Sequence, residues 1–129
     1  LALLLASSEL SDDQAMRWLD LLGRRPALAS AALLALAPRA QPRSPALARL
    51  IDALDDPALG ATAASALARR STSDRVEALS AQVPHASPRA LAHIALALRL
   101  IGTPAADRVL VALREDPRLP AAARQELSR

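Results

Sequence analysis

The chain has 129 residues, 52% hydrophobic but only 1% aromatic, with a formal charge of +3 and no cysteine, so disulfides, thiolate metal sites and cysteine nucleophiles are excluded. Alanine and leucine dominate, a mix that favours helix over sheet, and no apolar run reaches the roughly 20 residues that span a bilayer, so no membrane partner is expected. Apart from two histidines every basic side chain is arginine, which does not titrate in the ordinary range, so the pI of about 11.2 overstates the field a partner would feel.

In chain order, "LALLLASS" (residues 1–8) comes first. It aligns with "LALRLIGT" (96–103), the end of a helix and its turn, whereas a secretory signal would need a basic n-region and an initiating Met. Residues 1–10 are therefore expected to end the helix of a preceding repeat, and the cytoplasm is the expected location. On this reading the chain is the C-terminal part of a longer array, and its apolar start is covered by further repeats or by a partner.

Four prolines organise the rest of the chain. Pro26, Pro57 and Pro88 lie 31 residues apart and Pro117 comes 29 later. Each opens a similar phrase, "PALASAALLAL", "PALGATAASAL", "PRALAHIALAL" and "PRLPAAARQEL", with leucine ten positions on at 36, 67, 98 and 127. Proline fits the first helical turn, where its missing N–H costs nothing, so the four prolines are expected to begin helices over about 26–38, 57–70, 88–101 and 117–128. Asp56, Ser87 and Asp116 stand before three of them as acceptors for free backbone donors.

Between these lie helices expected over about 12–23, 45–55, 72–83 and 104–115. Their start signals are capping-box spacings in "SDDQ" (11–14) and "STSD" (71–74), and the cap-then-proline pairs Ser44-Pro45 and Thr103-Pro104. The reading is all-α: an α-solenoid of antiparallel helix pairs, with units at 11–43, 44–70, 71–102 and 103–129 in one domain.

Counting from each proline, offsets 3, 6, 7 and 10 are expected in the core and offsets 1, 5, 8 and 12 on the outer face. The outer set is Ala58, Thr62, Ser65 and Arg69, then Arg89, His93, Leu96 and Leu100, then Arg118, Ala122, Gln125 and Arg129. From it Arg69, Arg89, His93, Leu96, Arg118 and Gln125 are the candidate protein-binding residues. Trp18 is expected to fill space between units. The acidic pairs Asp12-Asp13, Asp55-Asp56 and Glu115-Asp116 are read as caps, and Arg24, Arg25, Arg39, Arg69, Arg70 and Arg99 as cations near helix C-termini. His85 and His93, eight residues apart, lack the i, i+4 spacing of helical metal ligands, so no metal, cofactor or catalytic residue is expected.

These residues resemble the HEAT-like repeat family in its short bacterial form. The best stretch is "ALALRLIGTPAADRVLVALREDPRLPAAARQEL" (95–127), and "LARLIDALDDPALGATAASALAR" (47–69) is a second copy. The resemblance implies a right-handed superhelix of about four repeats whose second helices line a concave face that binds proteins. Family units carry Val-Arg shortly after Asp-Pro, where this chain has Leu59-Gly60, so the family's Asp–Arg ladder is not expected. The third unit also has a longer turn, "AQVPHASP" (81–88).

The expected function is a non-enzymatic scaffold that binds a protein or peptide. An alternative is a nucleic-acid module of the alkylated-DNA repair type, disfavoured by the modest charge and the lack of aromatic stacking residues. A bilin lyase-like enzyme, also built from short HEAT-like units, has no recognisable tetrapyrrole site here.

Overall fold

Start signals and helix starts coincide at Ser11, Ser44, Ser87 and Thr103, while Ser71 and Thr72 of the signal expected at 71–74 lie outside the described residues. The computed structural model describes residues 11–22, 26–37, 43–69 and 73–127. Among them every regular element is helical and no strand occurs. The helices are α1 (Asp12–Leu22), α2 (Pro26–Ala35), α3 (Pro45–Ala53), α4 (Gly60–Ala68), α5 (Ser73–Gln82), α6 (Pro88–Ile101), α7 (Pro104–Arg114) and α8 (Ala121–Leu127), with a 3-10 turn over Val83–His85.

The capping box at α1 is complete: the Gln14 N–H donates to Ser11 Oγ at 3.2 Å and the Ser11 N–H to Gln14 Oε1 at 3.0 Å. Ser44, Ser87 and Thr103 each hold an extended backbone and accept from the N–H three residues on, with proline at the first helical position of α3, α6 and α7. Gly102 ends α6 at φ 69°, the left-handed cap that glycine adopts without a Cβ penalty, its N–H donating to Leu98 O.

Two of the four organising prolines do not open a helix. Pro57 and Pro117 lie in turns, and α4 and α8 start three and four residues later. The preceding residue explains the difference. Asp56 Oδ1 accepts from the Ala58 and Leu59 N–H groups at 2.7 and 3.0 Å, and Asp116 Oδ1 from the Arg118 N–H at 2.9 Å. An aspartate that bonds two residues ahead closes an Asx-type turn, and that turn must finish before the helix begins. Ser87 accepts from the Ala90 N–H three residues ahead, as an N-cap does, without the bond two residues ahead that Asp56 and Asp116 make.

The helices that come after the four prolines pack in order, α2 on α4, α4 on α6 and α6 on α8, while α1 packs on α3 and α5 on α7. Within pairs, α1 meets α2, α3 meets α4, α5 meets α6 and α7 meets α8. The core positions agree with the predicted offsets. Ala29, Ala32, Leu33 and Leu36, then Gly60, Ala63, Ala64 and Leu67, then Leu91, Ile94, Ala95 and Leu98 are all buried. In α8 only the last position, Leu127, is buried, and Arg124 at offset 7 is exposed.

One charged side chain joins this core. Arg75, on α5, is 3% exposed and donates to the carbonyls of Ala66 at 3.2 Å, Leu67 at 2.7 Å and Ala37 at 3.2 Å. Its guanidinium thus caps the last turn of α4 and the segment after α2, where helix carbonyls run short of backbone donors, Ala66 O alone of the three also accepting, among the described residues, from the Arg69 N–H at 3.3 Å, and where the dipole favours a cation.

The expected helix end at residues 1–10 lies outside the described residues, as do Arg24, Arg25, Arg39, Arg70, Ser71 and Arg129. The side chains of Asp12 and Trp18 are likewise outside them.

Candidate functional site

The outer face of the second helices obeys the same count as the core. Ala58, Ser65 and Arg69 are exposed and Thr62 half-buried; Arg89, Leu96 and Leu100 are exposed and His93 half-buried; Arg118, Ala122 and Gln125 are exposed. All six candidate residues therefore lie on the outer offsets of α4, α6 and α8 or immediately beside those helices. Their surroundings divide them into two groups.

Arg89, His93 and Arg118 are tied into the preceding unit. Arg89 Nη1 donates to Asp55 O at 3.3 Å, 34 residues back. One unit later Arg118 Nη1 donates to Ala86 O at 3.1 Å and Nη2 to Val83 O at 3.0 Å. Both arginines stand directly after a proline of the repeating series, so the same position reaches back to the same kind of turn twice. Ser87 strengthens the first joint, its hydroxyl donating to Asp55 Oδ1. His93 Nδ1 lies 2.7 Å from Leu54 O. A carbonyl can only accept, so Nδ1 carries the proton of that bond. The ring lies against Gly60, where a Cβ would fall 2.8 Å from Cγ and nearer still to Nδ1 and Cε1. Glycine at 60 is thus what lets α4 and the His93 ring approach this closely.

Arg118 also pairs with Asp116, two residues back. Nε meets Asp116 Oδ1 at 3.1 Å and Nη2 meets Oδ2 at 2.8 Å, the parallel fork of a guanidinium–carboxylate pair. The side-chain bond from Arg118, then its backbone N–H, holds the Asp116 carboxyl below the ordinary carboxylate range, and the same side-chain bond raises the Arg118 guanidinium. A carboxyl depressed in the folded state contributes stability above its unfolded pKa and loses it as pH falls through its folded one. Stability should therefore fall from about pH 4 downward, and less steeply in Asp116→Asn. Urea unfolding of both proteins across that window checks this; parallel pH profiles would contradict it.

Arg69, Leu96 and Gln125 make no such ties among the described residues. Leu96 is 36% and Leu100 52% exposed, one helical turn apart on α6. Beside them, between α6 and α8, lies a hollow of ≈ 200 Å³ lined by Ala92, Ala95, Leu96, Arg99, Ala123, Glu126 and Leu127. Sequence reasoning placed Leu100 on the outer face without choosing it as a candidate, and missed Arg75 altogether. The signal for Leu100 was its i, i+4 spacing from Leu96; for Arg75 there was none.

The arrangement offers little chemistry. Among the described residues no group of three His, Asp or Glu side chains could hold a metal ion. His85 is exposed in the 3-10 turn, and His93 spends Nδ1 on a backbone carbonyl. No helix among the described residues is long and apolar enough to cross a membrane. What fold and site define is an all-helical chain with a periodic outer face. Comparison with family models, with curated proteins and with solved structures gives no match.

Proposed function

We propose that this chain is a non-enzymatic binding scaffold, an α-solenoid of HEAT-like helix pairs that docks a protein or peptide across the outer face of α4, α6 and α8. A right-handed superhelix, with that face concave, and a cytoplasmic setting belong to the same reading. The observation that carries it is the pair Leu96 and Leu100. Four large apolar side chains are exposed among the described residues, Leu21, Leu96, Leu100 and Val111; Leu96 and Leu100 alone share a helix, and they lie on a face whose outer positions repeat from unit to unit. Exposed apolar side chains grouped on such a face are what a partner surface requires. The arginines of the face give less support to a nucleic-acid module. Arg118 is occupied by a carboxylate and two carbonyls, and the leucines offer phosphates nothing.

Panning a random 12-residue phage library on the immobilised chain tests the reading. The expected result is enriched peptides that lose at least about tenfold in affinity for the variant Leu96→Ser/Leu100→Ser, the scale of a hot-spot truncation, while its melting temperature stays close to that of the parent. No enrichment, or peptides indifferent to the double substitution, would remove this face as the site. Steeply salt-dependent binding of duplex DNA in the same assay would put the nucleic-acid module ahead.

A further inference from the structure

The charges around Leu96 and Leu100 specify the partner further, on the premise that this face is the docking face. Two sets of contacts fix how the helices lie. Asp55 meets Ser87 and Arg89, and five residues on Gly60 meets His93. The order is the same in both chain segments, so α4 and α6 point the same way. Likewise Val83 and Ala86 meet Arg118, and farther on Arg99 meets Glu126, so α8 points with them. The C-terminal ends of α4, α6 and α8 therefore share one end of the face, and Arg69, Arg99, Leu100 and Glu126 belong to that end.

Charge at this end is unbalanced. Arg69, the C-terminal cap of α4, is exposed, and its guanidinium makes no hydrogen bond or ion pair among the described residues. Arg99 Nη1 donates to Glu126 O at 2.9 Å and stands 3.7 Å from Glu126 Oε2, both side chains about half exposed. Among the described residues on these three helices and their caps, this end thus carries two guanidinium groups, Arg69 and Arg99, and one carboxylate, Glu126. On α4 the exposed residues are small, Ala61 and Ser65. From His93 to Leu100 the strip is about 10 Å long, at 1.5 Å per residue.

We propose that the Leu96–Leu100 strip, flanked by Arg69 and Arg99, is a groove for an acidic amphipathic helix of another protein, two to three turns long. Its apolar stripe covers the leucines and one side chain enters the hollow between α6 and α8, while its carboxylates face Arg69 and Arg99. Apolar residues at i, i+3, i+4 and i+7 are the pattern by which a helix fills such a groove. Opposite charge at the rim sets orientation and rate of encounter.

The test uses a labelled synthetic peptide of about 14 residues, leucine on one stripe and glutamate elsewhere. It is compared by fluorescence anisotropy with a shuffled peptide of equal composition, a lysine-for-glutamate version and single-stranded DNA of matching length. The Glu–Leu peptide should bind at least about tenfold more tightly than each comparator. Leu96→Ser/Leu100→Ser should remove about that factor. Arg69→Ser, which breaks no side-chain bond among the described residues, should weaken binding severalfold and flatten its salt dependence. Equal binding of the shuffled peptide, tighter binding of the DNA, or indifference to both variants would overturn the proposal. Should the lysine version bind best and still depend on Leu96 and Leu100, the acidic partner falls but the docking face stands. Should no peptide bind, the groove falls, and the library selection decides the scaffold reading separately.

Discussion

Arg75→Ala is expected to destabilise the chain by about 2–3 kcal/mol, the upper part of the range for leaving buried acceptors without their donor. The guanidinium is 3% exposed and bonds the carbonyls of Ala37, Ala66 and Leu67. Removing it leaves Leu67 O and Ala37 O without this donor, while Ala66 O keeps the Arg69 N–H at 3.3 Å, so the cost of about 1–3 kcal/mol per unsatisfied group adds less than fully. Arg75→Lys should recover less than half the loss. A single ammonium is a point charge and cannot fork across carbonyls that belong to two different segments. Urea denaturation of the three proteins measures this. A loss below about 1 kcal/mol for alanine, the ordinary cost of a surface change, would mean that Arg75 is not the tie between α5, α4 and the end of α2.

The second large effect is at Gly60. Gly→Ala normally favours a helix by up to about 1 kcal/mol. Here the sign should reverse, because the new methyl enters the space of the His93 ring. Overpacking of this kind costs about 1–3 kcal/mol, and a displaced ring also loses the 2.7 Å bond to Leu54 O. The expected result is a net loss of about 1–3 kcal/mol, since the lost bond and the propensity gain roughly cancel and the overpacking cost remains. In the His93→Ala background the same substitution should be neutral or stabilising, since the obstacle is gone. A double-mutant cycle on Tm or urea midpoint reports that coupling directly. Additive effects of the two substitutions would show that α4 and α6 do not meet at this point.

The sequence made the helices legible, and the outward and inward offsets of α4 and α6, because alanine, leucine and proline mark a period that backbone sterics enforce. Leu36, Leu67, Leu98 and Leu127 were expected inside from spacing alone, and all four are buried. Less legible was what precedes a helix. Asp-Pro and Ser-Pro look alike as cap-then-proline pairs, yet Asp56 and Asp116 close a turn first and delay α4 and α8, whereas Ser44, Ser87 and Thr103 start their helices at the proline.

Least legible was where long side chains go. Arg89 and Arg118 were placed on the outer face by their offsets, and both are exposed. A one-dimensional period says nothing of a carbonyl 32 to 35 residues back, though, and that is where their guanidinium groups donate. Arg75 is the extreme case: it sits early in a polar helix and looks like any solvated arginine, but its partners are the ends of two earlier helices.

Everything proposed for the outer face depends on successive helix pairs nesting side by side, with α4, α6 and α8 aligned. Nuclear Overhauser spectroscopy on the isotope-labelled chain tests this most directly through one contact between units. The prediction is strong cross-peaks between the His93 imidazole protons and the Gly60 Hα protons, 33 residues apart in sequence. An assigned spectrum in which the ring of His93 sees only its own helix would contradict the nesting, and with it the shared face on which the proposed binding rests.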